Sequence, residues 1–233
     1  MKNTNGSTKS AQDCFNRGNT FYDQKDYQSA ISEYNEAIRL NPDFSEAYNL
    51  RGYVKMRMGQ HSEALSDFEA AIRLNPDFAE GYSNRGFLKS EMRQHFEGIS
   101  DCDTAIRLDP NNAGAYNNRG TAKGRLGKLF EAISDFDTAI RLDPNSAAAY
   151  NNRGVAKTRL GHHNEAISDY DTAIHLDPDE ANFYYNRGIS KNALGHTGEA
   201  RADFQSVLNL AEKAKDDRLK SQIMKQLTQG KER

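Results

Sequence analysis

Apolar and small residues recur at helical spacing along this chain, and the whole pattern repeats every 34 residues. In the stretch 147–180, Ala166, Tyr170 and Ala173 stand at i, i+4 and i+7, which places them on one face of a helix. Polar and charged residues fill most of the positions between them. The stripe therefore predicts an amphipathic helix that buries one side against a neighbour.

Prolines divide the chain at the same interval. Proline ends a helix because it has no N–H and its ring clashes with the preceding turn. The prolines are Pro42, Pro76, Pro110, Pro144 and Pro178. In register with them the chain contains six copies of one unit, at 11–44, 45–78, 79–112, 113–146, 147–180 and 181–214. We expect each copy to contain a helix A, a tight turn and a helix B.

Three positions of the unit explain how the two helices pack. Small residues at positions 8 and 20 allow a close approach, and an aromatic ring at position 24 fills the space between the helices. In the fifth copy these residues are Gly154, Ala166 and Tyr170. The third copy differs, with Gly98 at position 20 and Cys102 at position 24.

This pattern resembles the tetratricopeptide repeat family, whose unit is also 34 residues long. The matching residues in the fifth copy are Tyr150, Gly154, Ala166, Tyr170, Ala173 and Pro178. The resemblance covers 11–214 and implies an all-α fold, a right-handed superhelical α-solenoid of antiparallel helix pairs. Two positions depart from the family: position 7, usually leucine, is arginine in all six copies, and position 11, usually aromatic, is lysine in five.

The two ends of the chain lie outside the six repeats. We expect 1–10 and 230–233 to be disordered tails. Leu219, Ile223 and Leu227 stand four residues apart, which predicts a capping helix over 215–229 that covers the last repeat. An amphipathic helix that binds a partner is the alternative for this segment. Glu212 replaces the proline of the sixth copy, so its helix B is expected to run further.

Composition narrows the functional classes. The net charge is −2 and the isoelectric point is about 6.3, so neither nucleic acid nor an anionic membrane is an expected partner. Hydrophobic residues make up 36% of the chain, which suits repeats that touch only their neighbours. No signal peptide or membrane-spanning run is apparent, and we expect a cytoplasmic protein. Cys14 and Cys102 fall at core positions and are expected to be reduced thiols.

Charged residues recur in two series. Facing positions in an antiparallel helix pair have a roughly constant sum, so position 7 should face position 23, and position 11 should face position 19. The first series predicts structural ion pairs Arg17–Glu33, Arg51–Asp67, Arg85–Asp101, Arg119–Asp135, Arg153–Asp169 and Arg187–Asp203. The second predicts exposed pairs such as Lys157–Glu165. The alternative for the arginines is an anionic ligand.

The family resemblance implies a concave face lined by helix A, chiefly through positions 2, 5, 6, 9, 12 and 13. Asparagines recur there and can pair with the backbone of an extended peptide, or can bond only to the scaffold. The predicted groove residues are Asn49, Tyr53, Asn84, Phe87, Asn117, Asn118, Arg125, Asn151, Asn152, Arg159 and Asn186.

The two halves of this predicted groove differ. The N-terminal half offers apolar anchors at Phe15, Tyr22, Tyr53, Met56 and Phe87. The C-terminal half offers Arg125 and Arg159, with room provided by the small residues Gly114, Thr121, Gly124, Ala148 and Thr158. The ligand is therefore expected to be an extended protein segment that is acidic where it meets the two arginines.

Other functions fit the sequence less well. The lysines that family members use to hold the carboxyl-terminal tails of chaperones are absent from positions 2 and 5. The histidines fall mostly in the A–B turns, too dispersed for one metal ion, and no cofactor or enzyme motif is recognisable. We therefore expect a non-catalytic adaptor that binds a protein or peptide. The alternative is a self-associating solenoid whose ends stack into oligomers.

Overall fold

The computed structural model describes residues 9–214 and Ile223. In that part of the chain there are twelve α-helices and no strand, so the fold is all-α. The helices form successive pairs, in which the odd-numbered member is helix A and the even-numbered member is helix B. Their bounds are α1 Ala11–Asp23, α2 Tyr27–Leu40, α3 Ser45–Arg57, α4 His61–Leu74, α5 Ala79–Glu91, α6 His95–Leu108, α7 Ala113–Arg125, α8 Leu129–Leu142, α9 Ala147–Arg159, α10 His163–Leu176, α11 Ala181–Ala193 and α12 Thr197–Ala214.

The chain divides into two compact units, Met1–Asn118 and Arg119–Arg233. In the first unit α1 packs on α2, α3 on α4 and α5 on α6, and α3 also contacts α2 and α5. In the second unit α9 packs on α10 and α11 on α12, and α9 also contacts α8 and α11. Helix A of one pair thus lies against helix A of the next within each unit.

Five B helices end two residues before a proline. Helix α8 ends at Leu142, and Asp143 takes an extended conformation with φ −132° and ψ 90° before Pro144. The proline ring clashes with a helical residue in front of it, which explains this stop. Helix α12 has Glu212 in place of the proline and runs for 18 residues, whereas each of the other B helices has 14.

In every described pair, the second residue after the end of helix A has a left-handed backbone. Four of these residues are glycines, for example Gly161 with φ 80°. The other two are Lys25 with φ 62° and Arg93 with φ 65°. A side chain at such a φ brings its Cβ close to the following carbonyl oxygen, so these two turns keep the same shape at a higher conformational energy.

The two helices of each pair meet at the glycine of position 8. A Cβ placed on Gly154 would lie 2.7 Å from Cε1 of Tyr170, whose side chain is only 1% exposed. In the third pair a Cβ on Gly98 would lie 2.6 Å from the carbonyl oxygen of Gly86, and Cys102 fills the space of the missing ring. The absence of a side chain at position 8 therefore sets the separation of the helices.

The predicted capping helix falls almost wholly outside the described residues. Ile223 is described: it is helical, fully buried and part of the apolar cluster of α12 that contains Phe204 and Val207. The rest of 215–229, together with 1–8 and 230–233, lies outside the described residues.

We expect Gly154→Ala to lower the free energy of unfolding by about 1–3 kcal/mol, because the new methyl group overlaps the Tyr170 ring. Gly124→Ala is the matched control, since its Cβ would meet only the Cβ of Ala132, at 3.8 Å. The control should raise the free energy of unfolding by roughly 0.5–1 kcal/mol, as alanine stabilises a helix relative to glycine. Urea denaturation measures both, and equal effects would contradict the close-approach argument.

A second prediction concerns the left-handed turn in the third pair. Arg93→Gly should raise the free energy of unfolding by about 1 kcal/mol, because glycine reaches a φ of 65° without the Cβ clash. Arg107→Gly, inside helix α6, should lower it by about 1 kcal/mol. Thermal unfolding followed by circular dichroism compares the two. A loss of stability in Arg93→Gly would show that the arginine makes a contact worth more than the strain.

Candidate functional site

A buried carboxylate at position 23 links the two helices in five of the six described pairs, and in the first pair a half-buried Glu33 accepts from Arg17 at 2.7 Å. Asp169 is 4% exposed and accepts hydrogen bonds from Nε of Arg153 at 3.0 Å and from Nη2 at 2.6 Å. Nζ of Lys157 lies 2.9 Å from the same carboxylate. The same arrangement of arginine, lysine and aspartate recurs at Asp67, Asp101, Asp135 and Asp203. The structure thus brings together all five arginine–aspartate pairs that the sequence suggests.

The lysines of position 11 do not behave as the sequence analysis expects. Nζ of Lys157 lies 3.7 Å from Glu165 but 2.9 Å from Asp169, and its side chain is only 15% exposed. The predicted lysine–glutamate pair is thus present with an exposed glutamate, as it is for Lys123 and Lys191. The sequence analysis missed the closer partner at position 23 and the burial of the lysine. Positions 7 and 11 are one turn apart on helix A, so both cations reach the same carboxylate. Glu165 stands in the first turn of helix B and points into solvent.

Arg51, Arg153 and Arg187 also donate a hydrogen bond to the preceding repeat. Nη1 of Arg153 donates to Asp137 at 2.7 Å, and its guanidinium lies 5.5 Å from the centre of the Tyr150 ring. Burial alone would lower the pKa of Arg153, but the hydrogen bonds to Asp169 and Asp137 outweigh it and raise the pKa above its ordinary value. Arg187 makes the corresponding bonds to Asp203 and Asp171. All three guanidinium nitrogens of Arg153 and of Arg187 thus donate to carboxylates of the scaffold, which favours the structural interpretation of these arginines.

The asparagines link successive A helices. Nδ2 of Asn84 donates to Oδ1 of Asn49 at 3.0 Å, and Nδ2 of Asn186 donates to Oδ1 of Asn151 at 2.9 Å. Asn118 donates to the hydroxyl of Ser83 at 3.1 Å. Position 6 of one repeat therefore bonds to position 5 of the repeat before it, which is the scaffold alternative of the sequence analysis.

Asn49 cannot be a groove residue as the structure stands. Its side chain is 1% exposed and lies between Glu80, to which it donates at 3.1 Å, and Asn84. Position 5 faces the next helix A, and this explains the burial. Asn117, Asn151 and Asn152 remain half-buried.

Aromatic residues of the first unit pack against one another. The ring centres of Tyr22 and Tyr53 are 5.9 Å apart, those of Tyr22 and Tyr27 are 6.0 Å apart, and burial raises the pKa of Tyr22 to about 12. Met56 is 9% exposed, and Tyr53 and Phe87 pack against its cluster. The predicted apolar anchors of the N-terminal half are thus engaged with each other.

The second unit contains an open cavity of about 160 Å³ beside α7, α8 and α9. It is lined by Thr121, Gly124, Arg125, Leu129, Phe136, Asn152, Val155, Ala156 and Arg159. Arg125 and Arg159 are exposed, and Nη1 of Arg159 donates to the carbonyl oxygen of Gly124 at 2.6 Å. Three predicted groove residues (Arg125, Asn152 and Arg159) therefore meet at one cavity. Leu129, Phe136, Val155 and Ala156 were not predicted, although their place in the repeat pattern would have indicated them.

The described residues contain no group of three or more histidine, cysteine, aspartate or glutamate side chains able to hold a metal ion. None of their helices combines the length and apolarity needed to cross a bilayer. Cys14 and Cys102 are buried, and neither is part of a disulfide.

Family models match most of the chain. A model described as "TPR repeat" matches 18–59 and 125–161, and one described as "Tetratricopeptide repeat" matches 45–78 and 147–180. A second model with that description matches 102–134. Together the matches extend over 18–78 and 102–180, which is more than half of the 233 residues. Among curated proteins none matches this chain.

Solved structures share the fold. The APC/C hetero-tetramer Cut9–Hcn1 contains a chain that aligns with a TM-score of 0.86 and 17% identity, over 94% of this chain and 43% of that one. This protein therefore spans less than half the length of that chain. MamA aligns at 25% identity and a TM-score of 0.57, over 74% of this chain and 94% of its own. YrrB, described as a TPR protein with an unusual peptide-binding site, aligns at 20% identity and a TM-score of 0.55, over 82% of this chain and 97% of its own.

Substitution of the buried Asp169 tests whether this residue is a stronger partner of Lys157 than Glu165 is. Asp169→Asn should lower the free energy of unfolding by about 3–5 kcal/mol, because Arg153 and Lys157 lose their shared counter-charge in a buried place. Glu165→Gln, the control, should change it by less than about 0.5 kcal/mol. Double-mutant cycles with Lys157→Met should give a coupling energy of about 1 kcal/mol or more for Asp169 and almost none for Glu165. A larger coupling energy between Lys157 and Glu165 than between Lys157 and Asp169 would contradict this prediction.

Proposed function

This chain belongs to the tetratricopeptide repeat family, and we propose that it is a non-catalytic adaptor that binds an extended segment of another protein along helices α7, α9 and α11. The repeat is a protein-interaction module, and the helical repeat solenoid gives this chain the fold for such a role. The cavity beside α7 and α9 carries the proposal, because it opens on the face of helix A that the family resemblance implies for ligands.

The chemistry of this face supports an acidic partner. Arg125 and Arg159 stand at position 13 of successive repeats, and both side chains are exposed at the cavity. The bond from Nη1 of Arg159 to the Gly124 carbonyl engages one guanidinium nitrogen of an exposed side chain, and Nε and Nη2 form the other edge of the planar fork. A carboxylate of the partner can pair with such a fork at two points. The net charge of the protein does not indicate this local positive charge, because it sums over all residues of the chain.

An extended segment suits the half-buried polar groups beside the cavity. The amides of Asn151 and Asn152 hold neighbouring helices in place, with Asn151 accepting from Asn186 and Asn152 donating to Thr121 at 3.4 Å. Asn151 also donates to Oδ1 of Asn152 at 3.4 Å, while its own Oδ1 has two lone pairs, of which Asn186 uses one. A peptide backbone that passes over α9 can donate to this oxygen, while the side chains of the peptide give specificity.

The experiment is a pull-down from native lysate with the full chain as bait. Arg159→Glu should reduce the recovery of the bound protein by about tenfold, because like charges then meet at the rim of the cavity. Arg141→Glu is the matched control: it makes the same charge change on an exposed residue of helix α8 and should leave recovery unchanged.

Light scattering of each bait accompanies the pull-down. A monomer that retains a protein in a manner sensitive to position 159 supports the adaptor. Equal recovery by Arg159→Glu and Arg141→Glu would contradict binding at this face. A mass that rises with concentration, with only copies of the chain recovered, would favour the self-associating solenoid instead.

A further inference from the structure

The cavity of the second unit arises because α7 and α9 carry smaller side chains than α3 and α5 at equivalent positions of the repeat. Thr121 and Gly124 of α7 occupy positions 9 and 12 of the repeat. In α3 the same positions hold Tyr53 and Met56, which are far larger. A Cβ added to Gly124 would meet only the Cβ of Ala132, at 3.8 Å, so the space above this residue is open.

The facing wall shows the same difference. Helix α9 presents Val155 and Ala156, whereas α5 presents Phe87 and Leu88 at the equivalent positions. In the first unit Met56 and Leu88 belong to one buried cluster, against which Tyr53 and Phe87 pack. That unit therefore fills the equivalent space with its own thioether, aliphatic and aromatic groups. The second unit leaves it empty, with an intact scaffold around it.

Apolar and charged groups are separated within the cavity. Phe136 is 2% exposed and Ala156 is 3% exposed, and together with Leu129 and Val155 they make an apolar lining. The guanidinium groups of Arg125 and Arg159 stand at the solvent side, and no carboxylate is among the lining residues. The first unit has Arg57 and Glu91 at the equivalent positions, which are opposite in charge.

We infer that this cavity is a socket for one apolar side chain of the partner, of the size of leucine, methionine or phenylalanine, with an aspartate or glutamate next to it in the partner sequence. A volume of about 160 Å³ exceeds the roughly 30 Å³ share of one water molecule several times and suits a single side chain. The apolar lining gains by exchanging water for such a group. The adjacent carboxylate then meets the arginine rim. This inference rests on the proposed function, because it names the partner chemistry of the same site.

The chain itself supplies the variant that closes the socket. Gly124→Met places at position 12 of the fourth repeat the residue that Met56 provides in the second. The carbonyl oxygen of residue 124 still accepts from Arg159, so the rim keeps its geometry. The substitution also replaces a glycine inside a helix, so the variant should unfold at the same or a higher temperature than the wild type. Loss of binding would then not come from loss of fold.

Gly198→Met is the matched control. Gly198 is exposed in the first turn of α12, and a Cβ there would meet nothing within 4 Å. The same side chain is thus added to a helix of the same unit, away from the cavity lining. Any general effect of an extra exposed methionine appears in both variants.

The probe is a phage library of random twelve-residue peptides, selected on the immobilised full chain. The wild type and Gly198→Met should enrich peptides in which a leucine, methionine or phenylalanine stands next to an aspartate or glutamate. Synthetic peptides of the enriched sequence should bind Gly124→Met at least tenfold more weakly by fluorescence anisotropy. Changing the apolar residue to alanine should cost the wild type a similar factor, and should cost Gly124→Met almost nothing.

Several results would overturn the socket. Equal affinity of the enriched peptides for the wild type and Gly124→Met shows that they bind elsewhere, and this leaves the adaptor function standing. Enrichment of basic peptides contradicts the arginine rim. If no peptide is enriched, the socket is rejected, and the pull-down with Arg159→Glu decides separately whether the protein binds a folded or longer partner at this face.

Discussion

The close approach of two helices at a residue without a side chain is the constraint on which each repeat depends. At Gly154 the ring of Tyr170 occupies the space that a Cβ would need. Only at this separation can Arg153 and Lys157, one turn apart on helix A, both reach Asp169 on helix B. The buried carboxylate then accepts two hydrogen bonds from Arg153 and pairs with Lys157, and Asp137 supplies a second negative charge beside Arg153. Apolar packing and charge pairing thus follow from one geometric condition.

Much of the fold could be predicted from the sequence, because the same pattern of residues recurs in each repeat. The 34-residue period, the helix pairs and the proline stops depend on local backbone chemistry. Because Pro144 forces Asp143 into an extended conformation, helix α8 ends at Leu142. The arginine–aspartate pairs follow from facing positions in an antiparallel pair. The second partner of the lysines was missed because facing positions ignore the length of a side chain. Nζ of Lys157 lies 3.7 Å from the exposed Glu165, and it lies 2.9 Å from the buried Asp169, one turn further along helix B.

The candidate site was only partly predictable, for a physical reason. A surface position is identified by its place on a helix, but its exposure depends on the neighbouring helix. Asn49 is on the predicted face and is nevertheless covered by Glu80 and Asn84. Positions 9, 12 and 13 line the cavity through Thr121, Gly124 and Arg125, and the copies vary there, as between Tyr53 and Thr121 or between Glu91 and Arg159. The shared positions make the scaffold, and the varied ones make its surface individual.

The bond that Arg153 makes to Asp137 reaches from one repeat into the one before it. The repeats of Arg51, Arg153 and Arg187 are therefore not complete in themselves: the acceptor for the third guanidinium nitrogen is supplied by the predecessor. Any window of 34 residues that contains Asp137 or Asp171 still carries the acceptor that its successor needs, wherever the cut falls. Duplication or deletion of such a window by recombination between copies preserves this bond. The ion network thus makes the length of the protein adjustable in whole repeats, and makes each change of length a single genetic step.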